Sequence, residues 1–428
     1  MAVSREHRES GNDQLSLRIS IYNEPAGSGI GGSEFVAAVL AEALAKDHKV
    51  DLFHRIPTLT TEMLARNSGT NLDGVQVRCI DTVPLNLSRR NPLIHYRESR
   101  KALARLSDSY DVFIAITHDI PPFCHAANGA LIVLFPAYPA PYIKPQGGID
   151  VKLAMRRPAR YAYHSWAWAR RMESYQLKTA ISDFSRRWTQ RLWRVDCQVV
   201  YPPVDISFRP QEKDRIILSV GRFALEGEGH RKKHKEMLLT FQRMKVNGLA
   251  GWDYVSVGGL PDTPKHKAYF EELSRIALAS GSQLVSNMSR HELRNLYERA
   301  TVFWHAAGYG EDENTQPLFA EHFGISTVEA MAAGCVPVAI KKGGQVEIVE
   351  HGISGFLWET LDELESYTAR LLTDYKLRAQ MSEAARKRAK MFSRDSFIQN
   401  FLTRLFPKTT TGKRKHSPIM HAEQKTAN

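Results

Sequence analysis

The chain contains 428 residues, of which 43% are hydrophobic and 24% are charged, and it carries a formal net charge of +12. At roughly 150 residues per domain, this length predicts two to three domains. The composition is that of a soluble globular protein, which excludes a disordered or fibrous chain. No run of residues is apolar enough to span a membrane, and the polar first residues contain no signal-peptide core, so we expect a cytoplasmic location.

The cysteines stand far apart in the sequence and form no CxxC pair: they are Cys79, Cys124, Cys197 and Cys335. This spacing argues against both a disulfide scaffold and a structural zinc site. We therefore expect reduced thiols and no bound metal.

Positive charge is concentrated in two segments. Residues 152–194 carry 11 basic side chains against Glu173 and Asp183, a local charge of +9, and residues 408–428 carry five against Glu423, a local +4. The first segment also holds Trp166, Trp168, Trp188 and Trp193. Basic residues mixed with aromatics suit an anionic membrane, a nucleic acid or a phosphorylated substrate. The simpler interpretation is a helix with solvated arginines and one buried face, formed by Tyr161, Ser165, Trp168, Met172 and Tyr175.

In chain order, short β-rich runs alternate with amphipathic helical patterns, which is typical of βαβ units around parallel sheets. In the first half we predict strands at 17–22, 50–53, 75–80, 111–117, 130–135, 179–182 and 198–201. A proline-rich joint, YPPVDISFRP, then marks a domain boundary. In the second half we predict strands at 215–220, 253–257, 283–286, 301–305, 335–340 and 355–358.

The predicted fold class is α/β, with two doubly wound Rossmann-like domains facing each other across a deep cleft. Such sheets bind ligands at the carboxyl ends of their strands, so the cleft is the expected site. The expected division is a polar segment at 1–15, an acceptor domain at 16–208, a donor domain at 209–391, a closing helix at 392–407 that packs back on the first domain, and a basic disordered tail at 408–428.

A glycine-rich loop, NEPAGSGIGGSE, follows the first strand. Gly27, Gly29 and Gly32 satisfy GxGxxG, which raises a nicotinamide-dependent oxidoreductase as one alternative. However, four residues separate the strand from the first glycine, and this loop is longer than that fingerprint needs. We favour Gly31 and Gly32 as positions of close approach to an anion, with Ser33 capping the next helix. A merely flexible turn is the other alternative.

Two glutamates bracket the most informative stretch, EHFGISTVEAMAAG. Glu321 precedes a predicted helix that starts near Ser326, and we expect its carboxylate to point into the cleft. Glu329 lies within that helix, where it could accept hydrogen bonds from ribose hydroxyls. Because Ser326 and Glu329 also form an SxxE pattern, a capping box is the alternative interpretation of Glu329.

Two basic residues follow the first strand of the second half. Arg222 stands at the strand end, in SVGRF, and Lys233 stands before the next helix. An Arg and a Lys in these places could hold a diphosphate from two sides. The neighbouring Arg231, Lys232 and Lys235 leave the choice of lysine open, and a solvated run of charges is the alternative.

Together, GGSE at 31–34, SVGRF at 219–223, KKH at 232–234, EHFGISTVEAMAAG at 321–334 and GG at 343–344 resemble the retaining glycosyltransferases of family four, which have the GT-B fold. The resemblance implies a nucleotide-sugar donor held mainly by the second domain and a glycan or lipid-linked acceptor held by the first. It implies no metal ion, no other cofactor and no nucleic-acid partner. A silent nucleotide-sugar-binding subunit remains a further alternative.

Family roles can be carried over by position as implications of the resemblance. Glu321 would contact donor-sugar hydroxyls, Glu329 would bind the ribose, and Arg222 and Lys233 would hold the diphosphate. His118 resembles a cleft histidine that touches the donor sugar. Backbone groups near the diphosphate would come from the remaining site residues: Phe323, Gly324, Ile325, Ser326, Gly31 and Gly32.

Two departures from the family pattern stand out. Many relatives have His-Tyr-Pro after the fifth strand, where this chain has FPAYP at 135–139. The segment at 308–324 is longer than usual, and its acidic residues Glu311, Asp312 and Glu313 could select an acceptor or lie in a surface loop. Because the +9 segment falls in the acceptor domain, we expect a phosphorylated lipid or anionic glycan as acceptor, near the inner face of a membrane.

Overall fold

A computed structural model describes residues 16–25, 31–80, 92–209, 211–225 and 232–407. Within these ranges every predicted strand is present, displaced by at most a few residues at its ends. The strands are β1 (Arg18–Asn23), β2 (Lys49–His54), β3 (Gln76–Cys79), β4 (Val112–Thr117), β5 (Asn128–Val133), β6 (Leu177–Ala180), β7 (Gln198–Val199), β8 (Ile216–Val220), β9 (Asp253–Gly258), β10 (Gln283–Ser286), β11 (Val302–His305), β12 (Val336–Ile340) and β13 (Phe356–Trp358).

Helices lie between and after these strands. In the first half they are α1 (Gly32–Leu44), α2 (Thr61–Ser68), α3 (Pro92–Lys101), α4 (Val151–Arg156), α5 (Pro158–Glu173) and α6 (Asp183–Trp193). In the second half they are α7 (His234–Val246), α8 (Pro264–Ser280), α9 (Arg290–Arg299), α10 (Ile325–Ala332), α11 (Gln345–Ile348), α12 (Leu361–Thr373), α13 (Tyr375–Ala389) and α14 (Arg394–Leu405).

The strands form two separate parallel sheets. The first has seven strands in the order β3-β2-β1-β4-β5-β6-β7, and the second has six in the order β10-β9-β8-β11-β12-β13. The strand order reverses direction between β1 and β4 in the first sheet and between β8 and β11 in the second. The predicted pair of doubly wound domains is therefore confirmed. Loops diverge at such reversal points, and crevices for ligands form there.

Apolar side chains cover both faces of each sheet, as parallel sheets require. The residues of β4 are all buried. One core cluster crosses between the domains, because Phe323, Val328 and Met331 of the second domain pack with residues of α1, β1 and β2. Phe397 and Phe401 of α14 belong to the same cluster, so the last helix lies on the first domain although it follows the second in sequence.

A polar contact also fastens α14 to the first domain. The guanidinium group of Arg394 donates hydrogen bonds to the carbonyls of Ser68, at 2.6 Å, and Gly69, at 3.1 Å. Among the helices of the described ranges, none is both long and apolar enough to cross a membrane.

Candidate active site between the two domains

The candidate site lies where the two reversal points face each other. From the first sheet, β1 leads to α1 and β4 leads to His118. From the second sheet, β8 leads to Arg222, and β11 leads through a long loop to Glu321 and α10. Because the carboxyl ends of parallel strands meet at one edge of a sheet, residues far apart in sequence come together here.

Glu321 forms a polar cluster with two side chains of its own domain. Its carboxylate contacts the ammonium group of Lys232 and lies 3.2 Å from Nε2 of His305, which ends β11. Burial lowers the pKa of His305, so the ring is neutral near pH 7 and its Nε2–H can donate to the carboxylate. Lys232 and Glu321 keep 16% and 13% of their side chains exposed, so a ligand can still reach them.

Of the two adjacent lysines, Lys232 is the one that reaches Glu321. Lys233, which the resemblance places at the diphosphate, points in another direction. Lys233 has a φ of 58° at the N-cap of α7, a left-handed conformation that turns consecutive side chains in different directions. Its ammonium group is buried 3.0 Å from Oε1 of Glu311. The stem of Lys232 instead lies over Gly221, where a Cβ atom would come within 2.7 Å of Cγ of Lys232. The glycine of SVGRF thus makes room for the lysine.

Arg222 is exposed at the end of β8, as predicted. A residue that sequence reasoning missed holds its backbone in place: His234 is buried, with Nε2 3.2 Å from the carbonyl of Arg222 and Nδ1 3.0 Å from Oγ of Ser256. Burial lowers the pKa of His234 to about 4, so the ring stays neutral. Its place in KKH, at the start of an apolar helix, was the available signal.

The motif after Glu321 places the start of α10 at the cleft. Gly324 is the N-cap, with a φ of 122°, and a Cβ atom there would lie 2.0 Å from Nε2 of Gln345. Gln345 is fully buried, donates to the carbonyl of Phe323 at 3.2 Å and accepts from Thr327 at 2.9 Å. The first N–H groups of a helix, here those of Ile325 and Ser326, have no acceptor within the helix and can face an anion. The side chain of Phe323 is in the core, so only its backbone is available to a ligand.

Glu329 does not cap its helix. Gly324 is the N-cap and makes no side-chain hydrogen bond, and Ser326 lies inside the helix, so the capping-box alternative is wrong. Burial is the main cause that raises the pKa of Glu329 from 4.5 to about 7, against the lowering influence of Arg290 and the Tyr297 hydroxyl. A carboxyl group that has a pKa close to 7 and does not cap its own helix is a candidate for ligand binding.

On the first domain, α1 begins directly opposite α10. A Cβ atom on Gly32 would lie 2.8 Å from Cδ1 of Ile325, so this glycine permits the close approach of the two helix starts. The predicted cap, Ser33, lies inside α1, and Gly31 is the N-cap instead. The N–H of Gly31 donates to Glu34 at 2.7 Å, so the N–H groups left to face an anion are those of Gly32 and Ser33. Gly27 and Gly29 of the alternative motif lie outside the described residues.

His118 follows β4 and faces the second domain. Its ring centroid lies 5.9 Å from that of His322, the residue after Glu321. Its N–H lies 3.3 Å from a carboxylate oxygen of Glu24, which also forms a salt bridge of 2.8 Å with Arg55. Burial raises the pKa of Glu24. Sequence reasoning passed over Glu24, although a charged residue directly after a buried strand was a usable signal.

His322 and Phe135 form a contact between the domains that sequence reasoning also missed. Their rings stack with centroids 4.0 Å apart and planes inclined by 8°. The Ser182 hydroxyl donates to the carbonyl of His322 at 2.6 Å. The imidazole beside Phe135 therefore comes from the opposite domain.

The long segment before Glu321 is tied to the second domain through its acidic residues. Glu311 pairs with Lys233, and Glu313 accepts a hydrogen bond of 3.0 Å from the N–H of Gly343. Lys342 donates to the carbonyl of Gly308 at 3.2 Å. The segment is therefore an ordered wall of the site. Among the described residues, no group of three or more His, Cys, Asp or Glu side chains is arranged to hold a metal ion.

The sequence matches two family descriptions that follow one another along the chain. Residues 30–208 match "Glycosyltransferase Family 4", and residues 205–388 match "Glycosyl transferases group 1". The chain belongs to glycosyltransferase family 4. Relatives of this family 4 protein include the GDP-Man:Man(3)GlcNAc(2)-PP-Dol alpha-1,2-mannosyltransferases of Dictyostelium discoideum, 30% identical over 236 residues, and of Homo sapiens, 27% identical over 231 residues.

These matches cover part of each chain. They span 50% of this family 4 protein but only 42% and 44% of the Dictyostelium and human relatives. Solved structures agree over the whole fold. A glycosyltransferase from Rickettsia africae superposes with a TM-score of 0.65 at 16% identity, covering 92% of this chain and 100% of its own. Anabaena HepE, solved with UDP and glucose, gives 0.60 at 16% identity, covering 91% and 99%. At such identities these structures show the GT-B fold alone.

Proposed function

We propose that the protein transfers a mannosyl group from GDP-mannose to a lipid-linked glycan, with retention of the anomeric configuration and without a metal ion, in glycoconjugate biosynthesis. The observation that carries the proposal is the cluster of Lys232, Glu321 and His305 beside the starts of α1 and α10. Family membership supports the reaction class and disfavours an oxidoreductase. The activities named for the relatives from Dictyostelium and human support GDP-mannose and a dolichol-linked acceptor.

The site offers positive charge for a diphosphate from two kinds of group. Arg222 and Lys232 supply full charges, and the N-termini of α1 and α10 supply backbone N–H groups and the positive ends of two helix dipoles. These groups would stabilise the charge that develops on the departing diphosphate as its bond to the anomeric carbon breaks. The same positive charges would serve in place of a divalent cation, which is why we propose metal-independent transfer.

The remaining residues take complementary roles. Glu321, oriented by His305 and Lys232, would accept hydrogen bonds from donor-sugar hydroxyls, and Glu329 would accept them from the ribose. The acceptor hydroxyl would attack the anomeric carbon from the face that the diphosphate leaves, and its proton would pass to the departing phosphate oxygen. The new glycosidic bond then has the configuration of the old one. His118, held through Glu24, would line the sugar on the side of the first domain.

A lipid-linked acceptor places the enzyme at a membrane surface, and we propose a peripheral position at the cytoplasmic face. We infer that the acceptor binds to the first domain, near Phe135 and His118. The ordered segment 308–320 would form the wall of this acceptor side.

A thermal-shift series would test the donor, because a ligand that binds only the folded protein stabilises it by about 2.7 kcal/mol at 100 times its dissociation constant. GDP and GDP-mannose should raise the melting temperature in the presence of a chelator, more than UDP-glucose or ADP-glucose do. NMR spectroscopy of the product should then show the α anomer. Stabilisation by NADH alone, or a β-linked product, would contradict the proposal.

A further inference from the structure

The short helix α4 exposes apolar side chains that its own protein does not cover. None of its residues is buried. Val151, Leu153 and Met155 expose 58%, 42% and 76% of their surfaces, and Ile149, just before the helix, exposes 43%. A helix of this length is not stable from its own hydrogen bonds, and monomeric proteins rarely leave such side chains grouped in water.

One tryptophan of the basic segment is also exposed. Of the tryptophans in the basic segment, Trp168, Trp188 and Trp193 are buried, whereas Trp166 exposes 47% of its surface. Its ring centroid lies 4.9 Å from that of Tyr96 in α3. α5, which carries Trp166, packs against α3 and follows α4 directly. We call the exposed apolar surface of α4 the α4 face and define it by Ile149, Val151, Leu153 and Met155.

The positive charge beside the α4 face is available to a partner. Its four exposed cations are Lys144, Lys152, Arg156 and Arg157. Within the described ranges none of the four forms a salt bridge, and the one acidic residue between 144 and 157, Asp150, caps α4 through a 3.1 Å bond to the N–H of Leu153.

Four other cations of the basic segment are engaged. Arg170 pairs with Glu173, and both Arg186 and Arg187 pair with Asp183. Arg171 is buried and donates to the carbonyl of Pro121. Lys152, Arg156 and Arg157 of the basic segment, together with Lys144 before it, therefore present positive charge beside the exposed apolar side chains of α4.

An ordered loop connects the α4 face to the active site. The loop leaves β5 at Phe135, which stacks on His322, and reaches α4 at Val151. Its middle is fixed by a bridge between Ile143 and Ile149 and by a 2.8 Å hydrogen bond from the Trp193 indole to the carbonyl of Tyr138. The chain between Phe135 and the α4 face is therefore ordered.

We propose that the α4 face docks the protein on an anionic lipid bilayer, with the apolar side chains in the interface and the four cations against the headgroups. Charge argues against the alternatives: a symmetric contact between two copies would bring these cations against themselves, and a nucleic acid would not cover the apolar side chains. Apolar insertion combined with basic residues is the pattern of interfacial helices. The inference rests on the proposed function only in that a lipid-linked acceptor requires access to a membrane.

Cosedimentation with vesicles tests the surface. The probes are phosphatidylcholine vesicles with and without phosphatidylglycerol, at low and high salt, and the proteins are the full chain and a chain ending at Pro407, which lacks the basic tail. The test variants are Leu153→Ser/Met155→Ser and Arg156→Glu/Arg157→Glu. Matched controls on the second domain are Val246→Ser/Leu278→Ser, at residues exposed by 82% and 84%, and Lys376→Glu/Lys387→Glu.

Both test variants should bind phosphatidylglycerol vesicles on the order of tenfold more weakly than the wild type, in both chain lengths, while the control variants bind as the wild type does. High salt should weaken all binding. Equal binding by test and control variants, binding that disappears with the tail, or no binding by the full chain would overturn the proposal. So would a dimer in sedimentation velocity that the test variants dissociate.

Calorimetry with GDP-mannose on the same proteins separates this proposal from the proposed function. Variants that lose vesicle binding but keep donor affinity would support a surface distinct from the site. The wild type could bind vesicles through the α4 face and fail to bind any nucleotide sugar. That result would show that the proposed function is wrong and would still support the α4 face as a membrane-binding surface.

Discussion

In the second domain the cleft residues are held by buried polar side chains of that domain, whereas in the first domain a ring from the opposite domain adds to such contacts. Gln345 and His234 exemplify the first arrangement, because both lie in the core and bind the backbone on which Phe323 and Arg222 stand. His118 exemplifies the second, because its backbone N–H donates to the buried carboxylate of Glu24 and its ring lies 5.9 Å from that of His322 in the second domain.

Under the proposed function, most contacts to the donor are therefore held within the second domain, whereas contacts near the acceptor also depend on how the two domains meet. The meeting is specific: a carboxylate from the second domain, Glu347, accepts hydrogen bonds of 2.7 and 2.9 Å from the N–H groups of Asp183 and Phe184 at the start of α6. Substitutions within the donor side should therefore change nucleotide affinity or the chemical step. Substitutions at the ring contact of Phe135 and His322 should change the Michaelis constant for the acceptor.

The largest effect is expected from Lys232→Ala. Loss of a positive charge beside the departing diphosphate should lower kcat by roughly 100-fold to 1000-fold, the range seen when one transition-state donor is removed. Lys233→Asn is the matched control, because asparagine tolerates the left-handed conformation that φ of 58° requires. Steady-state kinetics should show little change in its kcat. An equal loss in both variants would mean that the whole basic run, rather than Lys232, supports the chemistry.

Glu329→Gln should have the next largest effect, on nucleotide affinity. Loss of a charge-assisted hydrogen bond to the ribose should weaken GDP binding by about 1–3 kcal/mol. Since burial raises the pKa of Glu329 to about 7, GDP binding by the wild type should strengthen as pH rises through that value, and binding by the variant should not. Calorimetry across this range measures both.

The same variant gives a stability test with a defined sign. The pKa of Glu329 is higher in the folded chain than in the unfolded chain, so the protonated carboxyl group favours the folded state. This contribution to stability is complete below pH 4.5, the pKa in the unfolded chain, and is lost as the pH rises toward about 7. Above pH 7 Glu329→Gln should therefore unfold at a higher temperature than the wild type, while the two should be similar in acid. A variant that is less stable at every pH, with unchanged GDP affinity, would indicate a structural role instead.

A smaller effect is expected from the ring contact between the domains. Phe135→Leu keeps an apolar side chain but loses the stack on His322, which is worth about 0.5–1.5 kcal/mol. The Michaelis constant for the acceptor should rise by roughly twofold to tenfold, with GDP affinity unchanged. Phe184→Leu is a useful control, because its ring lies farther from His322, at 6.4 Å. Weaker GDP binding by Phe135→Leu would show that the donor side is not independent of the domain contact.

The fold and the position of the site follow from local patterns in the sequence. β-Branched runs such as those of β4 and β12 predict buried parallel strands, and the carboxyl ends of such strands predict the edge where a ligand binds. Glycines that face a close contact, such as Gly324 and Gly221, mark the same edge, because a Cβ atom in either place would overlap a neighbour. These features depend on residues near in sequence and were predictable.

Features that depend on a single backbone angle or on distant packing were not predictable. Which of the two adjacent lysines reaches Glu321 depends on the positive φ of Lys233. The caps of α1 and α10 are Gly31 and Gly324, where side-chain patterns favoured Ser33 and Ser326, since loop geometry decided the first helical residue. The stack of Phe135 on His322 joins two domains, and no periodicity within either one encodes it.

The smallest effect is expected from chelation of metal ions, which should change neither nucleotide binding nor sugar transfer. Arg222, Lys232 and two helix N-termini can offset the charge of a diphosphate, so GDP affinity and transfer should be the same in EDTA as in Mg²⁺ or Mn²⁺. Lys232→Ala sharpens the test, because a site that uses a lysine in place of a metal should not regain activity when Mg²⁺ is added. Activity that disappears in EDTA and returns with either metal would assign the charge of the donor side to a bound ion instead of Lys232. Rescue of the variant alone would show that a metal can substitute for the lysine without being needed by the natural chain.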